Sequence, residues 1–287
     1  MEAYQIITFG IADLICSLFS LCSSSRIFWV ILRDPCLRGL PAYQIMACIA
    51  FIECLHMAAF TVGSLMVING DVFSDDWNMV TGNIALTAWI TLIVLRFLLA
   101  LNRFVVITNF SVLNFLASRQ FHKISLTVTT LILIGLVPSC AYVQDAFVLM
   151  VPFACYIYRT NHFIATFETC LALSLTPLAF ALYVFTGVYL IKMKFKTGLQ
   201  KNLGELRLMI SSALAFSYEM IIIILFHFVF PYIMVPPEMS AFVLTMWAFL
   251  PGFNGLMLVI LNKSFRQSVF AFREQKTAVV TVSLRKS

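Results

Sequence analysis

Apolar residues in this chain come in seven long blocks, near positions 4–31, 42–68, 79–105, 124–149, 162–191, 207–233 and 238–261, separated by short polar connections. Each block holds about 20 residues or more, enough for a helix to cross a hydrocarbon core of roughly 30 Å. Ten-residue segments that alternate polar and apolar positions are missing. A transmembrane barrel, the other way to satisfy backbone groups in lipid, therefore has no support. The pattern predicts an all-α membrane protein, with residues 1–262 forming a seven-transmembrane helix bundle. Residues 263–287 read as a short interfacial amphipathic helix and a cytoplasmic tail, because Phe265, Val269 and Phe272 fall on one helical stripe with Arg266 and Arg273 beside it.

Composition agrees. Of 287 residues, 61% are hydrophobic, 11% are charged and 28 are Phe, more apolar surface than one soluble core can bury. Charge then orients the bundle. Arg26, Arg33 and Arg38 surround the first connection, Arg103, Arg119 and Lys123 the third, and Lys192, Lys194, Lys196, Lys201 and Arg207 the fifth; six more basic residues follow Asn262. The opposite connections carry Asp71, Asp75, Asp76, Asp145 and Glu238, with Arg159 as their basic residue, while Arg96 lies inside a block. Cytoplasmic loops accumulate Lys and Arg, so we expect a multi-pass plasma-membrane protein with its amino terminus outside and its carboxy terminus in the cytoplasm. The net charge of +6 comes from this asymmetry. Membrane lipid is the expected partner of the basic face, and no nucleic acid is expected.

The first block is as long as a span and lacks a basic leader or small-residue cleavage site, so it is expected to act as a signal anchor. The sequons Asn109-Phe-Ser111 and Asn262-Lys-Ser264 both fall on the inner side and read as chance matches. The eight cysteines make no disulfide framework and no CxxC spacing, so no metal or cofactor is expected. Four scattered histidines and no clustered nucleophile and base argue against an enzyme.

Two blocks end in recognisable runs. The third closes on Asn102-Arg103-Phe104-Val105-Val106-Ile107, and the seventh carries Asn254-Gly255 ahead of Asn262-Lys263-Ser264-Phe265-Arg266. Pro41 lies twelve residues before Glu53, and Pro177 interrupts the fifth block. Placed on these helices and on the basic side, the runs resemble those of rhodopsin-like G-protein-coupled receptors. Ala100-Leu101-Asn102-Arg103-Phe104, Tyr43-Gln44-Ile45-Met46 and Trp247 with Phe253-Asn254-Gly255 are more closely similar to nematode serpentine chemoreceptors of the T and X classes. The resemblance covers essentially the whole chain.

It implies a chemosensory receptor that binds a small external odorant or metabolite and switches a site for a heterotrimeric G protein. Asn102, Arg103 and Phe104, with Glu205, Lys263 and Arg266, are expected at that site. Arg103 would be a two-position latch whose five donors exchange partners as helices part, with Glu205 as its candidate partner. Asn102 replaces the family's acid and should hold it more weakly.

Ionisable groups at mid-bilayer cost roughly 2.5 to 3.5 kcal/mol each and are normally paired. Arg96, two turns and about 10.5 Å from Arg103 along one face, is expected to pair with Glu219 and to share Glu53. These three, with Asn254 and Pro177, are the expected intramembrane switch. Spacing from Arg103 sends Ala85, Leu86 and Trp89 towards the outer half. Trp89, Phe163, Phe167, Thr169, Phe226, Phe230 and Trp247 would line an aromatic ligand pocket, while Glu168 and His227, near the outer ends of the fifth and sixth spans, would either set its polarity and pH sensitivity or lie at the lipid interface. Ala85 stands where amine receptors carry an acid, so the expectation is a neutral or weakly polar ligand.

Departures from the family pattern carry their own expectations. Leu92 replaces a serine, which argues against a sodium site. Asn78 replaces the helix-three cysteine, leaving Cys155 without its usual partner and the outer loop less firmly tethered. Pro251, Gly252 and Gly255 give the seventh helix a weak point. The competing reading is a transporter or channel using Glu53, Arg96, Glu168 and Glu219 as a polar path, but the internal repeats and matched broken helices of such proteins are missing. A structural seven-span protein is the third reading.

Overall fold

The computed structural model describes residues 1–109, 118, 120, 127, 129, 130, 147–158, 162–197, 203–229, 236–261 and 266. Its helices are α1 (Ala3–Arg33), the single turn α2 (Pro35–Arg38), α3 (Pro41–Asn69), α4 (Asp75–Thr108), α5 (His162–Thr197), α6 (Leu203–Ile224) and α7 (Pro237–Leu261). Strands β1 (Phe147–Met150) and β2 (Cys155–Tyr158) form an antiparallel hairpin between α4 and α5 in sequence. Six described helices are long and apolar enough to cross a membrane.

Local chemistry sets the ends. Pro41 starts α3 where no amide hydrogen is needed, and Gly70 ends it in the left-handed region at φ 80°. The Ser74 hydroxyl accepts from the Trp77 amide at 3.2 Å, and Asp75 with Asp76 complements the positive end of α4. Asn109, also left-handed at φ 49°, closes α4.

Two boundaries differ from the sequence expectation. Thr127, Thr129 and Thr130 of the fourth block are helical, but its last positions belong to β1, where Phe147, Val148 and Leu149 pair with Tyr158, Ile157 and Tyr156. A short apolar run cannot by itself separate a helix end from a buried strand. The sixth span keeps α-helical form to Ile224, and Leu225–Val229 then widens into a π turn. The remainder of the fourth span, Phe230, Lys263 and nearly all of 263–287 lie outside the described residues, as does the side chain of Glu205.

The helices close into a ring: α1 packs on α3 and α7, α3 on α4, α4 on α5, α5 on α6, and α6 on α7. What α1 turns inward is polar. Asp13, Ser17, Ser20 and Ser24 recur at helical spacing and are all buried, whereas Tyr4, Ile7, Ile11, Ile15 and Leu18 are exposed. In lipid no hydrophobic force holds helices together, so small and hydrogen-bonding residues take the interface. Asp13 accepts from the Thr245 hydroxyl, Thr61 Oγ1 donates to Ser17 Oγ at 3.2 Å, and Ser24 donates to Glu53 Oε2 at 2.8 Å.

Ser20 resolves the weak point in α7. Its hydroxyl donates to the Ala248 carbonyl at 2.7 Å and accepts from the Gly252 amide at 3.0 Å. Those two backbone groups would ordinarily bond to each other, so a side chain has been inserted into the helical ladder beside Pro251, one of the established causes of a kink.

Candidate functional site

The functional features stack along α4. Trp89, Arg96 and Arg103 follow at seven-residue intervals, which puts them on one stripe about 10.5 Å apart.

At the hairpin end, β1 and β2 lie over the bundle and reach into it. Phe147 and Tyr156 are buried and stacked, with ring centroids 5.2 Å apart and planes 10° from parallel. Asn78 holds the hairpin. Its amide nitrogen donates to the Leu149 carbonyl at 3.1 Å and its oxygen accepts from the Leu149 amide at 2.8 Å, the pairing a neighbouring strand would make. Asn83 Oδ1 accepts from the Phe147 amide at 3.4 Å.

Gly82 makes this approach possible, because a β-carbon there would coincide with the Phe147 carbonyl; one on Gly63 would meet the Tyr156 hydroxyl. The loop therefore lacks the covalent tether, as the sequence expectation had it, but the residue in place of the family cysteine supplies two buried hydrogen bonds. Cys155 is a free thiol, and burial pushes it up to about 11, so it stays protonated near neutrality.

Beneath the hairpin lie two cavities that share Phe226 and Trp247. The larger, about 160 Å³, is also lined by Cys155, Tyr156, Ser240 and Leu244; the smaller, about 10 Å³, by Trp89, Phe147, Tyr158, Glu168 and His227. Trp89 and Trp247 meet edge to face at 4.9 Å, and Phe226 lies 6.0 Å from Trp247. Glu168 is buried, accepts from Trp89 Nε1 at 2.7 Å, and lies 3.7 Å from His227 Nε2. Thr169 Oγ1 is 3.3 Å from His227 Nδ1 and so adjoins the cavity through that ring.

Several candidates for the pocket fall elsewhere. Phe163 and Phe167 are 74% and 41% exposed and stack on each other at 6.5 Å, on the outside of the bundle. Aromatic side chains on a membrane helix have lipid as an equally good solvent, so type alone cannot assign their face. Ala85 and Leu86 are buried in the core beside Trp89 and line neither hairpin-end cavity.

At mid-bundle, Arg96 Nη2 lies 3.0 Å from Glu53 Oε1 and Arg96 Nη1 lies 3.0 Å from Glu219 Oε1, with all three side chains buried. One guanidinium therefore ties α3, α4 and α6 together, and Ser24 brings in α1. A turn nearer the hairpin, the His56 ring packs edge-on against Phe60 at 4.8 Å and Trp247 at 6.0 Å.

At the other end, a cavity of about 110 Å³ runs from Glu53 and Arg96 to Arg103, Tyr183, Ser211 and Asn254. The Arg103 guanidinium carbon sits 5.7 Å from the Tyr43 ring centroid, a cation–π distance, and the adjoining Asn102 is buried. Phe104 is half-buried, and Pro177 lies inside α5 without being among the residues that line these cavities. Arg266 is exposed and donates from Nη1 to the Ile260 carbonyl at 3.3 Å.

Sequence reasoning passed over Asp13 and underused Asn78. Asp13 carried a usable signal, an acid in the middle of an apolar block, which in a membrane is costly without a partner. Asn78 carried none beyond its position, since its role depends on a hairpin that arrives from 71 residues away.

Comparison with known proteins completes the picture. The crystal structure of squid rhodopsin superimposes with a TM-score of 0.71 over 95% of this chain and 86% of that one at 13% identity, a likeness of fold. A search of curated proteins by sequence gives no match. The family description Serpentine type 7TM GPCR chemoreceptor Srt matches residues 2–281. Nearly the whole length is covered, and the fold and family are of receptor type: the chain belongs to the Srt family of serpentine seven-transmembrane G-protein-coupled chemoreceptors.

Proposed function

We propose that this receptor stands in the plasma membrane with its hairpin end outside and its basic end in the cytoplasm. It takes a small odorant or metabolite under the hairpin and transmits its arrival to a heterotrimeric G protein at the Arg103 end. The observation that carries the reading is the order along α4: Trp89 at the hairpin-end cavity, Arg96 in the buried ionic triad, Arg103 at the opposite cavity.

The triad is the element that converts one event into the other. Its geometry holds only while α3, α4 and α6 keep their spacing, so a ligand that shifts α6 through Phe226 changes the balance between a closed and an opened bundle. A ligand shifts such an equilibrium by its differential affinity for the two states, typically about 1 to 3 kcal/mol. On opening, Arg103 leaves Tyr43 and its donors become available to the partner protein. Asn254, in the wall of the same cavity, and α7 move with it. Asn102, Phe104, Glu205, Lys263 and Arg266 frame the docking face.

Two measurements test this. Arg103→Ala is expected to reach the cell surface normally and to lower agonist potency by about tenfold or more. A response that this substitution leaves intact counts against G-protein coupling through this site, and an agonist-gated ionic current in its place would promote the channel reading. An amino-terminal epitope tag should stain intact cells and a carboxy-terminal tag only permeabilised ones. Both termini in one compartment would overturn the orientation.

A further inference from the structure

We propose that the ligand of the hairpin-end site is a small primary amine whose ammonium group is received by the buried carboxylate of Glu168 and whose apolar body, about the size of one ring, fills the cavity between Trp247 and β2. This rests on the receptor reading above and names the chemical class of its ligand.

Residue 85 offers no counter-ion, but α5 brings one to the same place from the other side. Glu168 is only 3% exposed, yet among the described residues no Lys or Arg lies within ion-pair distance of it. Its neighbours there are donors of modest strength: Trp89 Nε1 at 2.7 Å on Oε1, and the Tyr158 hydroxyl at 3.5 Å on Oε2. The third is His227 Nε2, which at 3.7 Å is beyond a normal hydrogen bond, while its Nδ1 is engaged with Thr169.

A carboxylate so deeply buried favours a partner that brings positive charge and several donors, and an ammonium brings three. The cavity that Glu168 lines is also walled by Phe147, Tyr158, Phe226 and Trp247, aromatic residues whose ring faces attract cations. A neutral alcohol could occupy the same ring-sized space, but it would bring one donor and no charge.

Size narrows the class. The void beside Glu168, about 10 Å³, is on the scale of one water, which suits an ammonium head and nothing bulkier. The adjoining void, about 160 Å³, is on the scale of an apolar cavity that admits benzene. The two meet at Phe226 and Trp247, so a body in the larger reaches the smaller through a short linker once the Phe226 ring turns.

The test uses three probes built on one phenethyl body, phenethylamine, phenethyl alcohol and ethylbenzene, which lacks the polar head, applied to cells expressing the full chain with a second-messenger reporter. The amine should be about tenfold to a hundredfold more potent than the alcohol, with ethylbenzene weaker still, the range of a charge-assisted hydrogen bond. Glu168→Gln keeps an acceptor for Trp89 and should erase the amine's advantage over the alcohol while leaving surface labelling in place. If that variant fails to reach the surface, the amine and alcohol potencies on the unaltered receptor decide.

Alcohol equal to or better than amine, or silence towards amines from methylamine to tryptamine, overturns the assignment. If such a neutral response is abolished by Arg103→Ala, the coupling reading stands without the amine. An amine response that depends on Glu168 but survives Arg103→Ala keeps the assignment and removes the coupling.

Discussion

Replacing Arg96 with methionine is expected to strip the receptor from the cell surface. The guanidinium lies between Glu53 and Glu219 at 3.0 Å from each, and all three side chains are buried. Removing it leaves two carboxylates facing each other in a low-dielectric interior, with the Ser24 hydroxyl as the remaining donor to Glu53. Breaking a buried pair from one side typically costs about 3 to 5 kcal/mol, because the uncompensated charge stays behind. That is a large share of the total stability of an ordinary domain.

The triple replacement Arg96→Met, Glu53→Gln and Glu219→Gln removes charge from both sides and should recover much of the surface signal, read by flow cytometry of a tagged chain. It should also raise basal signalling, since the closed spacing of α3, α4 and α6 has lost its tie. Losses that simply add across the three substitutions would show that the groups are solvated independently and that the triad is not a unit.

The second large effect is expected at Asn78. Asn78→Ala leaves the Leu149 amide and carbonyl buried without their partners, at about 1 to 3 kcal/mol for each group. The hairpin should then open locally while the helices stay folded, because the bonds lost belong to the hairpin alone. Amide hydrogen exchange of the purified receptor reads this directly: residues 147–158 should exchange about tenfold faster or more, with α3 and α7 unchanged. Gly82→Ala should do the same from a second direction, by placing a methyl group on the Phe147 carbonyl. Unaltered protection in both variants would mean that the packing of Phe147 and Tyr156 secures the hairpin by itself.

The two residues show how differently a site can be written into a chain. Arg96, Glu53 and Glu219 are visible as charges inside apolar blocks, and the cost of an unpaired charge in lipid brings them together almost as a matter of bookkeeping. Arg103 and Asn254 were visible as motif positions with the right helix and the right end. Asn78 was visible as the residue in place of the family cysteine and Glu168 as a polar residue near a helix end, but neither reading named the partner each holds. Their roles appear when the hairpin and α5 are placed. Phe167 shows the reverse failure, since an aromatic ring on a membrane helix is as stable facing lipid as facing a pocket, and here it faces outward.

What the chain determined by itself is the succession of apolar blocks long enough to span a membrane, the side on which its basic residues gather and the motifs that place it among receptors. These follow from hydrophobic length, from the expense of polar groups in hydrocarbon and from residues adjacent in sequence. Which face each helix turns inward, the polar seam of Asp13, Ser17, Ser20 and Ser24, the insertion of Ser20 into α7 and the strand pairing of Asn78 with Leu149 were decided only by the tertiary structure. Each depends on a donor and an acceptor that lie far apart in the chain, and hydrogen-bond geometry exists only after the helices have closed into a ring.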